Sequence, residues 1–230
     1  MQAQREMFSV EGQLKQAQAA QEKIRNGDTS PDNIARAEEA INLYLSVLSR
    51  EPNNDEALKS IATIYGSIGQ PEKQYEWTQK RANNVDLPPT KRAEAFTLLA
   101  SREWTCSYEI TEQPANKYTV ASLGKETIQY RKPKDPADFD RAKMCAARGL
   151  EQAEKAIMLD PNYDLVWAYK AHLLRERAKL GFMNGGTVDY EYNLKLADEA
   201  DARYRELAAK NPNRSPPPEL PPIPERVEKQ

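Results

Sequence analysis

Residues 40–53 read AINLYLSVLSREPN and contain the pattern that decides the fold. Ala40, Tyr44 and Val47 are spaced four and then three positions apart, so they share one face of a helix that Pro52 ends. The same spacing precedes two more prolines, as Gly149, Ala153 and Ala156 before Pro161 and as Ala200, Tyr204 and Leu207 before Pro212. A helix that recurs along the chain with the same spacing of inward-facing residues predicts a repeat protein.

A second spacing marks the helix that pairs with the first. A large side chain is followed four positions later by alanine, as in Leu58 and Ala62. The same spacing recurs at Phe96 and Ala100 and at Trp167 and Ala171. A small residue on the inward face lets a neighbouring helix approach closely. The two spacings together predict antiparallel helix pairs.

This arrangement resembles the tetratricopeptide (TPR) repeat. In that repeat the first helix opens with W-x-x-L-G-x-x-Y, and the second carries small, aromatic, small and proline positions. The resemblance implies an all-α, right-handed superhelix of antiparallel helix pairs over residues 1–212. The chain departs from the motif at Lys170, where leucine is usual, and at Gln74, Thr78 and Arg81 in a second helix.

Two segments interrupt the predicted helices. Residues 109–136 replace a short turn, and their β-branched and aromatic runs Tyr118–Val120 and Thr127–Tyr130 predict a small β-hairpin insertion. Residues 213–230 form a proline-rich C-terminal tail, which we expect to be extended rather than helical.

The composition argues against two classes of partner. The net charge is −2, whereas a nucleic-acid-binding domain normally has a basic surplus. No stretch reaches the ~18 consecutive apolar residues of a membrane span, so we expect no transmembrane segment. The N-terminal residues are polar and contain no apolar signal core. This leaves open both a cytoplasmic protein and an exported one whose leader has been removed.

The sequence lacks the groups that common catalytic sites need. His172 is the only histidine, so any Ser-His-Asp arrangement or histidine-containing metal site must use it. No Walker-type loop and no Gly-x-Gly-x-x-Gly motif is present. We therefore expect no enzyme activity, no cofactor and no metal site.

The resemblance to TPR proteins also suggests a binding surface. First helices of such repeats line the concave wall of the superhelix, and concave walls bind partners. In that register the residues facing the groove are Lys59, Thr63, Thr97, Ser101, Trp104, His172 and Arg175. One interpretation is that these side chains are merely solvated. The other is that Lys59, His172 and Arg175 bind an acidic protein or peptide partner while Trp104 packs on its apolar part.

The two cysteines allow two interpretations. Cys106 and Cys145 both lie on inward helix faces on either side of the insertion, so a disulfide between them is plausible in geometry. It would imply an oxidising compartment. The alternative is two buried, reduced thiols.

A further resemblance bears on the compartment. Residues 104–112, WTCSYEITE, followed by the insertion and Cys145, are similar to exported bacterial TPR proteins of an acidobacterial type. The resemblance implies a periplasmic or other extracytoplasmic location, with the cytoplasm as the alternative. The leading hypothesis is a non-enzymatic accessory or scaffolding subunit of a cell-envelope assembly, peripheral to any membrane complex. The alternative is a small-ligand-binding or enzyme-related protein with a pocket near residues 109–136.

Overall fold

The computed structural model describes residues 9–122 and 125–210, and within them the chain is mostly helical. The described residues form two compact units, which meet in sequence between Ala95 and Phe96. The proline-rich tail predicted for residues 213–230 lies outside the described residues. The prediction of a helical protein with one small hairpin is confirmed. The right-handed TPR superhelix stays a prediction.

The first unit consists of four helices and the beginning of a fifth. These are α1 (Val10–Gln21), α2 (Pro31–Arg50), α3 (Asp55–Ser67), α4 (Pro71–Asn83) and α5 (Pro89–Thr111), the last of which continues into the second unit. Asn54 caps α3 by accepting a hydrogen bond from the Ala57 amide at 3.0 Å. Gly69, with φ +70°, makes the turn before α4 in a conformation that favours glycine.

The core of the first unit follows the predicted repeat spacing. Ala40, Tyr44 and Val47 on α2 are all fully buried, and Leu58 and Ala62 on α3 are buried as well. The predicted inward face of this helix pair is therefore confirmed. On α4, the polar side chains Thr78 and Arg81 are buried beside Ala82.

The second unit contains the rest of α5, the insertion and three more helices. After α5 come a short 3₁₀ turn (Pro114–Asn116), strands β1 (Lys117–Ser122) and β2 (Lys125–Tyr130), and helices α6 (Pro136–Leu159), α7 (Asp164–Met183) and α8 (Thr187–Ala208). The strands are antiparallel, and Lys117 pairs with Tyr130 at the base of the hairpin. Helix α5 continues to Thr111, so the non-helical part of the insertion is shorter than residues 109–136 and begins after that helix.

Close helix packing in the second unit depends on a glycine. Gly149 on α6 lies against Leu173 on α7 and Glu103 on α5. A Cβ atom at Gly149 would lie 2.4 Å from Leu173 Cδ2 and 3.1 Å from Glu103 Cβ, so a larger residue there would force the Leu173 side chain to shift. Near the hairpin, the apolar core includes Ile110, Tyr130, Phe139, Ala142, Ala146, Leu180 and Met183.

Candidate functional site

Four aromatic side chains from α5 and α7 form a continuous group, which we call the aromatic cluster: Trp104, Tyr108, Tyr169 and His172. The ring centroids of Trp104 lie 5.1 Å from those of Tyr108 and His172 and 6.0 Å from that of Tyr169. Tyr169 and His172 meet edge to face at 5.8 Å. The spacings of four residues on α5 and three on α7 place each pair on one helix face.

The two central members of the aromatic cluster are buried but incompletely hydrogen-bonded. Trp104 and His172 are each 7 % exposed. Trp104 Nε1 and His172 Nδ1 have no hydrogen-bond partner among the described residues. Burial, together with the nearby Arg175 charge, lowers the pKa of His172 to about 4, while Asp201 opposes the shift. The imidazole is therefore neutral at pH 7, and the cluster offers one indole donor and one neutral imidazole nitrogen.

Arg175 lies next to the aromatic cluster with its charge compensated. Its Nη2 atom is 3.2 Å from Asp201 Oδ2 and 3.8 Å from Asp198 Oδ1, both on α8. Asp201 also pairs with Arg205 at 2.6 Å. An anionic partner would therefore have to compete with two aspartates for Arg175.

The other predicted groove residues have different environments. Thr97 is buried and Ser101 is half-buried, both on α5 in the second unit. Lys59 and Thr63 are exposed on α3, which belongs to the first unit. Within the second unit the structure thus places Trp104 against His172, with Arg175 beside them. A role for any of these residues in binding a partner stays a prediction.

A largely buried group of charged and polar side chains joins the C-terminal end of α5, α7 and the hairpin, and we call it the ionic cluster: Glu112, Lys117, Tyr130, Glu176 and Lys179. Lys179 Nζ lies 2.6 Å from a carboxylate oxygen of Glu112 and 2.6 Å from one of Glu176. The Tyr130 hydroxyl donates to Glu112 at 2.6 Å, and Lys117 Nζ pairs with the other Glu112 oxygen at 3.0 Å. Three elements distant in sequence are therefore tied together by one set of charges.

Hydroxyl groups complete the ionic cluster, and the protonation states follow from its charges. Thr111 and Ser107 donate to Glu176 Oε2 at 2.7 and 3.3 Å. Burial alone would raise the pKa of Glu112, but the Lys179 charge and hydrogen bond outweigh it and lower that pKa. Burial alone would lower the pKa of Lys179, but the charges and hydrogen bonds of Glu176 and Glu112 outweigh it and raise that pKa. The sequence interpretation missed this cluster, whose one sequence signal is the charged pair Glu176 and Lys179 within the buried stripe of α7.

The predicted cysteine pair is brought together in the second unit. The Cys106 and Cys145 sulfurs lie at disulfide distance, with Cα atoms 6.0 Å apart, between α5 and α6. Glu103 lies close to both sulfurs. Among the described residues, Glu103, Cys106 and Cys145 are the one group whose side-chain types and spacing would allow metal binding. Cysteines joined in a disulfide have no thiolate to offer a metal. Arg148 Nε, 3.3 Å from Glu103 Oε2, also supplies the charge that a cation would bring.

A surface cleft of about 360 Å³ lies among α6, α7 and α8. It is lined by Leu150, Glu151, Glu154, Trp167, Lys170, Leu174, Arg177, Leu196, Glu199 and Ala200. None of these residues belongs to the 109–136 insertion, where the alternative hypothesis placed a ligand pocket. Trp167, the large residue of the Trp167 and Ala171 spacing, is half-buried and lines this cleft.

The described helices and the sequence comparisons set limits on classification. None of the helices within residues 9–122 and 125–210 combines the length and apolar composition that a membrane crossing requires. No protein-family model matches the chain, and no curated protein shows significant similarity to it.

Proposed function

We propose that the protein is a non-enzymatic interaction module of TPR-like architecture that binds a peptide segment of a protein partner over the aromatic cluster. The observation that supports this most is the pair of buried nitrogens, Trp104 Nε1 and His172 Nδ1, that have no hydrogen-bond partner among the described residues. A buried polar atom left without a partner is costly. In the proposed complex the half-buried Tyr108 and Tyr169 rings move aside, and a ligand that then reaches either nitrogen would gain that energy on binding.

A peptide backbone has the chemistry that these two nitrogens need. Its carbonyl group can accept from the Trp104 indole, and its amide group can donate to the neutral His172 ring. The half-buried rings of Tyr108 and Tyr169 flank the two buried rings and provide apolar contact area. Aromatic residues in such positions are typical of interface hot spots.

The proposed setting is an accessory or scaffolding role in a cell-envelope assembly outside the cytoplasm. Its support is the Cys106–Cys145 pair at disulfide distance, since stable disulfides form mainly in oxidising compartments. Thiol titration of the denatured protein, purified from its native compartment without reductant, tests this assignment. Two titratable thiols would contradict it.

The binding proposal is tested with Trp104→Phe and Tyr169→Ala, and with Tyr192→Ala as the matched control. Tyr192 is an exposed tyrosine on α8 outside the aromatic cluster. Each variant serves as bait for cross-linked partners from native cells, and a recovered partner's binding segment is then titrated as a synthetic peptide. Trp104→Phe keeps an aromatic ring but removes the indole donor, so we expect binding to weaken about two- to tenfold.

The stability of the same variants separates binding from folding. The indole N–H has no partner among the described residues, so its loss costs no hydrogen bond, but the smaller ring leaves a cavity in a buried site. We therefore expect a lower melting temperature for Trp104→Phe, and peptide affinity is measured well below it, with circular dichroism confirming that the variant is folded. Peptide affinity that is equal in wild-type protein, Trp104→Phe and Tyr169→Ala would show that the partner binds elsewhere. Loss of affinity in Tyr192→Ala alone would have the same meaning.

A further inference from the structure

The cleft among α6, α7 and α8 has an apolar floor. Leu150 of α6, Leu174 of α7 and Ala200 of α8 are buried at its base, and Leu196 is half-buried beside them. Its volume of about 360 Å³ is near the lower end of the range typical of small-molecule sites, about 300–1,000 Å³. The cleft therefore has room for one large apolar side chain and the polar group attached to it.

Helix α7 contributes one wall of the cleft through residues spaced three, four and three positions apart: Trp167, Lys170, Leu174 and Arg177. Such spacing places all four on one helix face. The Trp167 indole is held in place because its N–H donates to the Pro161 carbonyl at 2.9 Å. The Lys170 ammonium group lies 5.2 Å from the centre of that indole ring.

Most charges on the rim of the cleft are already paired. Glu154 pairs with Lys170 at 2.7 Å, and Glu151 pairs with Lys155 at 2.7 Å. Two charges remain, Arg177 on α7 and Glu199 on α8. Both are exposed, and neither has an ion pair with a residue in the described part of the chain. The lining of the cleft thus combines an apolar floor with one available cation and one available anion.

We propose that this cleft binds a free amino acid with an apolar side chain. In this arrangement the ligand's carboxylate binds the Arg177 guanidinium, its ammonium group binds the Glu199 carboxylate, and its side chain covers the leucine floor beside Trp167. A guanidinium group is suited to bind a carboxylate through two parallel hydrogen bonds. The proposal is independent of the peptide site at the aromatic cluster.

Charge complementarity favours a zwitterion over other ligands. A simple carboxylate would leave Glu199 uncompensated, and a simple amine would do the same to Arg177. A residue inside a peptide carries neither charge on its backbone, and a terminal residue carries only one of them. A free amino acid presents both charges next to the side chain that would fill the floor.

The test uses the full-length protein and isothermal titration with leucine and with phenylalanine, each to millimolar concentrations. Trp167 fluorescence reports occupancy of the cleft, and Trp167→Phe identifies its contribution. We expect saturable binding that weakens at least tenfold in Arg177→Gln and in Glu199→Gln, because each removes one charge contact. Arg141→Gln, on an exposed arginine of α6 that does not line the cleft, is the matched control and should bind as the wild type does.

Capped ligands decide whether both charges are recognised. N-acetyl-leucine and leucine amide each lack one charge, and we expect each to bind at least tenfold more weakly than leucine. Equal binding of capped and free leucine would overturn the proposal, because the cleft would then recognise only an apolar group. Absence of binding by leucine and by phenylalanine would overturn it as well. Circular dichroism melts of the Arg177 and Glu199 variants confirm that the exposed substitutions leave the fold intact.

Discussion

Lys179→Met is the substitution that tests most directly whether the ionic cluster holds the second unit together. The Lys179 side chain is 5 % exposed, and its ammonium group is 2.6 Å from both Glu112 and Glu176. Methionine keeps an unbranched apolar stem in the same space but removes the charge. Two buried carboxylates then remain without the cation between them.

The expected loss of stability depends on which hydrogen bonds and ion pairs each carboxylate keeps. Removing one partner of a buried ion pair costs about 3–5 kcal/mol, because the remaining charge is left in a poorly solvated site. Glu176 keeps its hydrogen bonds from Ser107 and Thr111, and Glu112 keeps Tyr130 and Lys117. We therefore expect the lower end, a loss of about 3 kcal/mol in the free energy of unfolding.

Lys155→Met is the matched control, because it removes the same charge in the same way from an exposed pair. Lys155 is 2.7 Å from Glu151, four residues earlier on α6. An exposed pair of this type contributes about 0.3–0.5 kcal/mol. Urea unfolding followed by tryptophan fluorescence, in a Trp77→Phe background so that Trp104 and Trp167 of the second unit report, should give clearly separate midpoints. With a urea slope of about 2 kcal/mol per molar, Lys179→Met should lower the midpoint by about 1.5 M.

Acidification gives a second measurement of the same effect. The pKa of Glu112 is lowered in the folded protein, so its contribution is present above the unfolded pKa and is lost as pH falls through the folded pKa. Lys179 has a raised pKa, so its own contribution is fully present at neutral pH. The difference between wild type and Lys179→Met should therefore narrow as Glu112 becomes protonated. A Lys179→Met loss no larger than that of Lys155→Met, or a difference that acid leaves unchanged, would refute the argument.

Three further predictions concern single positions. The single imidazole, His172, should titrate by NMR with a pKa of about 4; because this lies below its unfolded value, His172 should cost stability as pH falls from about 6.5 to 4, and His172→Gln should remove that dependence. The double variant Cys106→Ser, Cys145→Ser should lose about 3–4 kcal/mol of unfolding free energy in the chain-entropy model. If the wild-type protein melts at the same temperature with and without reductant, no bridge forms. Gly149→Ala should lose about 0.5–2 kcal/mol in urea unfolding, because contact with Leu173 outweighs the gain in helix propensity; a stabilised variant would show that Leu173 moves freely.

The helices were predictable from the sequence because the residue pattern that marks each of them lies within a short stretch of the chain. Alanines and aromatic residues at fixed spacing, such as Ala40 and Tyr44, report one helix face without reference to the rest of the chain. Proline at a first helical position is likewise a local signal, as at Pro31, where α2 begins. The hairpin was also predictable, since Tyr118–Val120 and Thr127–Tyr130 are locally β-like. The end of α5 was not predictable. The sequence prediction began the insertion at residue 109, whereas the helix ends at Thr111, and no residue at 109–111 marks either boundary.

The buried charges were not predictable, because their partners are distant in sequence. Arg81 is 2 % exposed on α4, yet its sequence neighbours give no sign that Asp55 and Glu94 bind it at 2.6 and 2.8 Å. Lys179 and Glu112 are likewise joined only by the fold. From the sequence alone, charged residues in a helical pattern are interpreted as solvent-exposed.

The ionic cluster also explains how the insertion is held to the helices. A two-stranded hairpin alone is marginally stable in water, so its position must come from contacts at its base. Beside the apolar packing of Tyr130, polar contacts hold this base: Lys117 at the start of β1 and Tyr130 at the end of β2 both bind Glu112, which in turn binds Lys179 of α7. Because Lys117 and Tyr130 are paired residues in the hairpin register, one carboxylate fixes both strands at once. The insertion is therefore coupled to α7 through Glu112, and Lys179→Met should loosen the hairpin.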